Sequence, residues 1–190
     1  EYIEAANYPK ARVALRNVLK IDPKDADAYY LFAQVEEKEK NWRNAVQLYQ
    51  EVVQLAPDHT GALITLGKYY LEARLTEPVM KVVSQVLKKE PRHPQARALQ
   101  LAAEVAAGDN VESAIRKAEA LSTEFPAEPD VAVLLATLYS HQQRHRDAEL
   151  TLRHALETHS QDMGLLNNLD RILTVAKDTT GVEALVRYTI

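Results

Sequence analysis

Apolar residues fall at three- and four-residue intervals in two successive stretches, and the second stretch runs into a proline. Over residues about 25 to 39, Tyr29, Phe32, Ala33 and Val35 share one helical face; over 42 to 55, Ala45, Leu48, Tyr49, Val52 and Val53 share another. That spacing predicts two amphipathic α-helices. Between them Asn41 is placed to cap the second helix through its side-chain oxygen, and Asn7 and Asn110 hold the equivalent place elsewhere. The segments Ile21-Asp22-Pro23-Lys24 and Leu55-Ala56-Pro57-Asp58 then end second helices, because proline lacks an amide hydrogen and its ring collides with the preceding turn.

The helix pair recurs along the whole chain. Pro23, Pro57, Pro91 and Pro126 stand 34, 34 and 35 residues apart. The same register carries Ala11, Ala45, Val79, Ala114, Ala148 and Val182, and then Phe32, Leu66, Leu101, Leu135 and Leu169. A period of this length predicts an all-α solenoid, in which each pair buries its apolar face against its neighbours. Pro57 to Pro91 is 34 residues but Leu66 to Leu101 is 35, so one extra residue is expected in the turn Arg92-His93-Pro94.

Composition narrows the chemistry. The chain is 46% hydrophobic and 26% charged, with only 5 Gly in 190 residues, which leaves little room for flexible linkers. Its 23 Lys and Arg against 27 Asp and Glu give a net charge of −4, a balance unsuited to nonspecific nucleic-acid binding. Direct membrane insertion is not expected, since no apolar run approaches the roughly 20 residues a spanning helix needs. Without Cys the chain has no disulfide, thiolate ligand or thiol nucleophile.

No catalytic or metal constellation emerges. His141 and His145 are four apart, as metal ligands on one helix would be, but the repeat register puts them across a turn. Arg144, Arg146, Arg153, His154 and His159 form a basic patch expected to be solvated. Glu36-Glu37-Lys38-Glu39-Lys40 reads as a mixed-charge helix end rather than an acid and base pair. Gly-rich phosphate loops, Gly-x-Ser-x-Gly and His-Glu-x-x-His do not occur. No cofactor is expected.

The pairs Leu66-Gly67 with Tyr70, Leu135-Ala136 with Tyr139, Ala45 with Tyr49 and Pro57, and Ala148 with Leu152 and Ala155 resemble the tetratricopeptide repeat. Small residues there let paired helices approach while large ones fill the gaps beside them. Departures are Glu36 at an aromatic place, Asp170 at a small one, Val79 and Val182 where Ala is usual, and Ser160 for Pro. The resemblance implies a single right-handed solenoid over 1–190. Its complete repeats are 26–59, 60–94, 95–128 and 129–162, with partial ones at about 1–25 and 163–190. The partial ends, including a short helix expected at 180–190, suggest a piece of a longer array. Pentatricopeptide repeats, which read RNA, have a period of 35 residues and fit the small-residue and Pro places less well; ankyrin repeats need a Thr-Pro-Leu-His-like turn, which does not occur.

In this family, first helices line a concave groove that holds peptides. Carried over, one row of groove places is Tyr30, Ile64, Leu99, Val133 and Asn167; a second is Gln34, Lys68, Ala103, Thr137 and Arg171; a third is Glu37, Leu71, Ala106, Ser140 and Thr174. The residues expected to meet a partner are Tyr30, Ile64, Lys68, Leu71, Leu99, Val133 and Thr137, with the apolar row either exposed to a peptide or packed between helices. The Lys and Asn clamp that some members close on a peptide's terminal carboxylate is not matched, since Tyr30, Gln34, Thr65, Ala96 and Gln100 stand at its places. The resemblance therefore implies a noncatalytic scaffold for a protein or peptide in a multiprotein assembly, like bacterial members of envelope, exopolysaccharide or protein-sorting systems. The alternative is the recruitment arm of a larger enzyme such as a glycosyltransferase. Compartment and oligomeric state are not encoded in any feature of the chain.

Overall fold

The computed structural model describes residues 6–126 and 128–176. Among them are ten α-helices: α1 (Tyr8–Ile21), α2 (Ala26–Lys38), α3 (Trp42–Leu55), α4 (Thr60–Glu72), α5 (Thr76–Lys89), α6 (Pro94–Ala106), α7 (Val111–Glu124), α8 (Pro129–His141), α9 (His145–Thr158) and α10 (Met163–Val175). First helices of the pairs have 13 residues and second helices 14. The fold is an all-α solenoid of such pairs. Val182 and the helix expected at 180–190 lie outside the described residues, as does the start of the partial first repeat.

The chain divides into two compact units between Pro91 and Arg92. The first contains α1 to α5. One of its apolar clusters joins Ala11, Leu15, Ala28 and Val35; another joins Ala33, Ala45, Tyr49, Val52, Ala62 and Leu66. The second unit contains α6 to α10 around a core that includes Ala114, Leu135, Ala148, Leu152, Leu165 and Leu169. Ala45, Val79 and Ala148, at one place in the register, are each 0% exposed, so the helices close over them and Val79 fits where Ala is usual.

Each helix end has a local cause. The side chains of Asp25, His59, His93 and Asp162 accept the amide hydrogens of Ala28, Ala62, Ala96 and Leu165 at the starts of first helices, satisfying donors that have no partner inside the helix. Within a pair the first helix is closed by one left-handed residue, Lys40, Arg74 or Gln143, at φ 61°, 58° and 59°. The next amide, of Asn41, Leu75 or Arg144, then donates back to the carbonyl of Glu36, Tyr70 or Tyr139 at 2.8 to 2.9 Å, the closure of a Schellman motif.

Two features of these turns depart from expectation. Asn41 stands before α3 but makes no side-chain cap bond; its amide closes α2 onto the Glu36 carbonyl. Asn7 and Asn110 do cap, accepting from the amides of Lys10 and Ser113 at 3.3 and 2.9 Å. The extra residue, expected at Arg92-His93-Pro94, lies elsewhere. The turn before α6 has the usual length, and Pro94 is already the first residue of that helix. The turn after α6 is the longer one: Gly108 takes the left-handed place at φ 108°, Asp109 closes α6 onto the Glu104 carbonyl, and Asn110 is released to cap α7. Leu66 to Leu101 pointed upstream because the buried face changes phase inside α6. Ala96 is 34 residues after Ala62, but Leu99 and Leu101 are 35 after Ile64 and Leu66, and all six are buried.

Candidate functional site: the first-helix faces

In the first unit the face is built by α2 and α4. Tyr30 is half-buried, with its ring 5.6 Å from Tyr49 and 4.5 Å from His59. Its hydroxyl lies where a side chain on Gly61 would begin, 2.7 Å from the place of a Cβ. Gly61 thus leaves room for Tyr30 to close the seam between α2 and the start of α4. Lys68 and Leu71 are half-buried on α4, whereas Ile64 is only 5% exposed.

A tyrosine pair holds the adjoining surface. The hydroxyls of Tyr49 and Tyr69 donate to the two carboxylate oxygens of Glu37 at 2.6 and 2.5 Å. Burial, followed by that hydrogen bond to a carboxylate, pushes both phenols well above the usual range. Trp42 stands beside Tyr69 at 6.5 Å and is 51% exposed. Glu36, one residue earlier, is buried. It accepts from Arg12 Nε at 2.8 Å and from Asn44 at 3.3 Å, and Arg12 also pairs with Glu39. The run does end α2, but Glu36 within it is not solvated: its carboxylate, at an aromatic place, is neutralised by Arg12 from α1. The signal available in the sequence was that misplaced Glu together with an arginine 24 residues upstream.

In the second unit the face is built by α6, α8 and α10. Leu99 is 6% exposed, while Val133 and Thr137 are half-buried. Between α8 and α10 lies a cleft of about 160 Å³ lined by Thr137, Ser140, His141, Arg171, Ile172 and Val175. The Arg171 guanidinium donates to Asn168 Oδ1 at 2.8 Å and to Thr137 Oγ1 at 3.5 Å. The three groove rows include Thr137, Ser140 and Arg171, but helical spacing alone does not show that a cleft opens between α8 and α10. The expected partner residues thus fall on two faces, one in each unit. Tyr30, Lys68, Leu71, Val133 and Thr137 are accessible in part, whereas Ile64 and Leu99 are buried.

Three of the remaining charged candidates have partners. Arg144 lies over the Tyr139 ring at 4.1 Å and pairs with Asp147 at 2.7 Å; Arg153 pairs with Glu149 at 2.7 Å and His154 with Glu157 at 3.2 Å. His141 ends α8 and His145 opens α9. Among the described residues no group of three or more His, Cys, Asp or Glu could hold a metal ion, and no helix is long and apolar enough to cross a membrane. A larger groove of about 930 Å³ lies between α3 and α5, floored by Leu66 and Tyr70. Its rim carries glutamines with one Glu and one Lys, Glu77 and Lys81, so its charge selects no ligand.

Two family profiles described as Tetratricopeptide repeat match the chain, one over residues 36–103 and one over 1–60. The chain belongs to the tetratricopeptide repeat family. No curated protein matches it. Among solved structures it is similar to PilW, described as a widely conserved type IV pilus biogenesis factor, with 17% identity, coverage of 97% of this chain and 86% of that one, and a TM-score of 0.68. It is similar to YrrB, described as a tetratricopeptide protein with an unusual peptide-binding site (14%, 87% and 85%, 0.59). It is also similar to human IFIT1 as a dimer with m7Gppp-AAAA (14%, 96% of this chain but 46% of that one, 0.70). At these identities the likeness is one of fold.

Proposed function

We propose that this tetratricopeptide chain is a noncatalytic scaffold that binds an extended peptide or a helix of a protein partner along its first-helix faces, within a multiprotein assembly. The observation that carries the reading is the mixture on those faces. Leu71 and Val133 offer apolar surface, Tyr30 an aromatic edge, and Lys68 and Thr137 polar contacts, all half-buried. Partly covered apolar residues on rigid helices suit a ligand that brings its own apolar side chains. The likeness to YrrB agrees with peptide as the ligand class.

The reading is tested with an immobilised array of unstructured and helical peptides, probed with the wild-type chain and with Leu71→Asp and Val133→Asp. Selective peptides should bind the wild-type chain and lose at least tenfold in affinity in one or both variants, with helicity by circular dichroism unchanged. Equal binding by all three chains would remove the first-helix faces from the interface.

A further inference from the structure

We propose that Trp42 and Tyr69 form an aromatic corner that receives an arginine side chain of the bound protein segment, with Glu37 as the carboxylate behind it; this rests on the scaffold reading and supplies the partner's chemistry. Trp42 is the first residue of α3 and is 51% exposed. Its ring lies 6.5 Å from the ring of Tyr69 at 54°, so the two planes open as walls rather than stacking on one another. Tyr49 stands behind, 6.5 Å from Tyr69. The hydroxyls of both tyrosines are pinned to Glu37, which fixes the walls before any ligand arrives. Phenols are neutral donors, so these bonds orient the carboxylate without cancelling its charge. The Tyr69 phenol is held neutral first by burial, then by Glu37, and last by a weaker field from Glu72. Negative charge therefore gathers behind a partly exposed aromatic pair, the setting in which a ring face attracts a cation.

The second unit shows what completes such a cluster. Tyr139 donates to Glu119 at 2.7 Å, and the Arg144 guanidinium lies over the Tyr139 ring at 4.1 Å. Asp147 does most to keep Arg144 charged, and Tyr139 and Glu119 add to it. Phenol, carboxylate and guanidinium thus act together inside this chain. The two clusters use different places in the repeat, so the likeness is one of chemistry. In the first unit the phenol and the carboxylate are present and Trp42 adds a second ring, but no arginine among the described residues lies over either ring. A guanidinium suits the corner better than an ammonium, because it is planar, stacks on an aromatic face and is more weakly hydrated. Glu37 also belongs to the rows expected along the first-helix face, so a segment bound there can place an arginine in the corner.

The experiment titrates the full ¹⁵N-labelled chain with N-acetylarginine amide and with N-acetylcitrulline amide, which has nearly the same shape and no charge. Trp42 is the single tryptophan, so its fluorescence and its indole Nε1–H resonance report this place directly. The arginine amide should shift both saturably, at concentrations on the order of millimolar. The citrulline amide should not. Trp42→Leu should abolish the accompanying shift of the Tyr69 amide, Glu37→Gln should weaken the response at Trp42 severalfold, and circular dichroism should show all chains equally helical. Equal responses to the two amides, or a Tyr69 shift that survives in Trp42→Leu, would overturn the proposal. So would tighter binding of N-acetyl-trimethyllysine amide, which would assign the corner to a quaternary ammonium. Failure of N-acetylarginine amide while peptides still bind through Leu71 or Val133 would remove the corner alone; the converse result would remove the scaffold reading.

Discussion

Ala148 has no exposed surface and belongs to the core that joins α8, α9 and α10. A larger side chain there must push helices apart, so Ala148→Trp is expected to destabilise by about 1 to 3 kcal/mol or more through overpacking. Thermal unfolding measures this directly, and an unchanged midpoint would show that the helices can slide. His59 acts at the same scale. Its ring nitrogen accepts the Ala62 amide at 3.1 Å, the work that Asp25 and Asp162 do at the equivalent places. His59→Ala should therefore cost about 0.5 to 2 kcal/mol, and His59→Asp should restore the cap. Tyr139 sets an alkaline limit. Burial, then its 2.7 Å hydrogen bond to Glu119, pushes its phenol from 10.0 up to about 12. The neutral form is the one the fold favours, so its contribution is complete below pH 10 and is lost as pH rises through about 12. Near-UV titration should show a late phenolate that disappears in Tyr139→Phe, alongside the late phenols of Tyr49 and Tyr69.

At the scale of the element, helix existence was legible and helix closure was not. The apolar spacing in residues 42 to 55 predicts α3 to the residue, because the same side chains both define the period and fill the core. The closing turns escaped because Lys40, Arg74 and Gln143 are not glycines, and nothing in their chemistry announces a left-handed backbone. The extra residue was misplaced for a related reason. Counting buried leucines follows the packed face of α6, whereas the insertion is a matter of which residue closes and which caps. These turns yield a prediction of opposite signs. Arg74→Gly relieves a left-handed non-glycine and is expected to stabilise by about 0.5 to 1 kcal/mol. Gly108→Ala, with no neighbour within 4 Å but φ at 108°, should destabilise by about 1 to 3 kcal/mol from backbone strain alone. Chemical denaturation of the two variants checks both signs. The candidate site was legible as rows of residues, but their depth was not: the register that groups Ile64 and Leu99 with Tyr30 and Val133 does not say that the first two are covered. Depth depends on how neighbouring helices cross, which a period alone leaves open.

For the molecule as a whole, the fold narrows the ligand less than the surface does. Structures of this fold carry descriptions as different as a pilus biogenesis factor, a peptide-binding site and a capped RNA complex, so the choice among them has to come from the charges on the face. A single strand of RNA neutralised at several phosphates would require several free cations, and each would steepen the salt dependence by about −0.7 in log K per log salt. The row residues of the second unit supply one cation, Arg171, and the net charge of the chain is −4. Binding of a peptide through apolar side chains such as Leu71 or Val133 is barely screened by salt. Measured by fluorescence anisotropy on a selected peptide, affinity should therefore fall by no more than severalfold between 50 mM and 500 mM salt. A fall of a hundredfold or more over the same range would mean that several charges carry the complex, and would favour a polyanionic ligand over the apolar peptide proposed here.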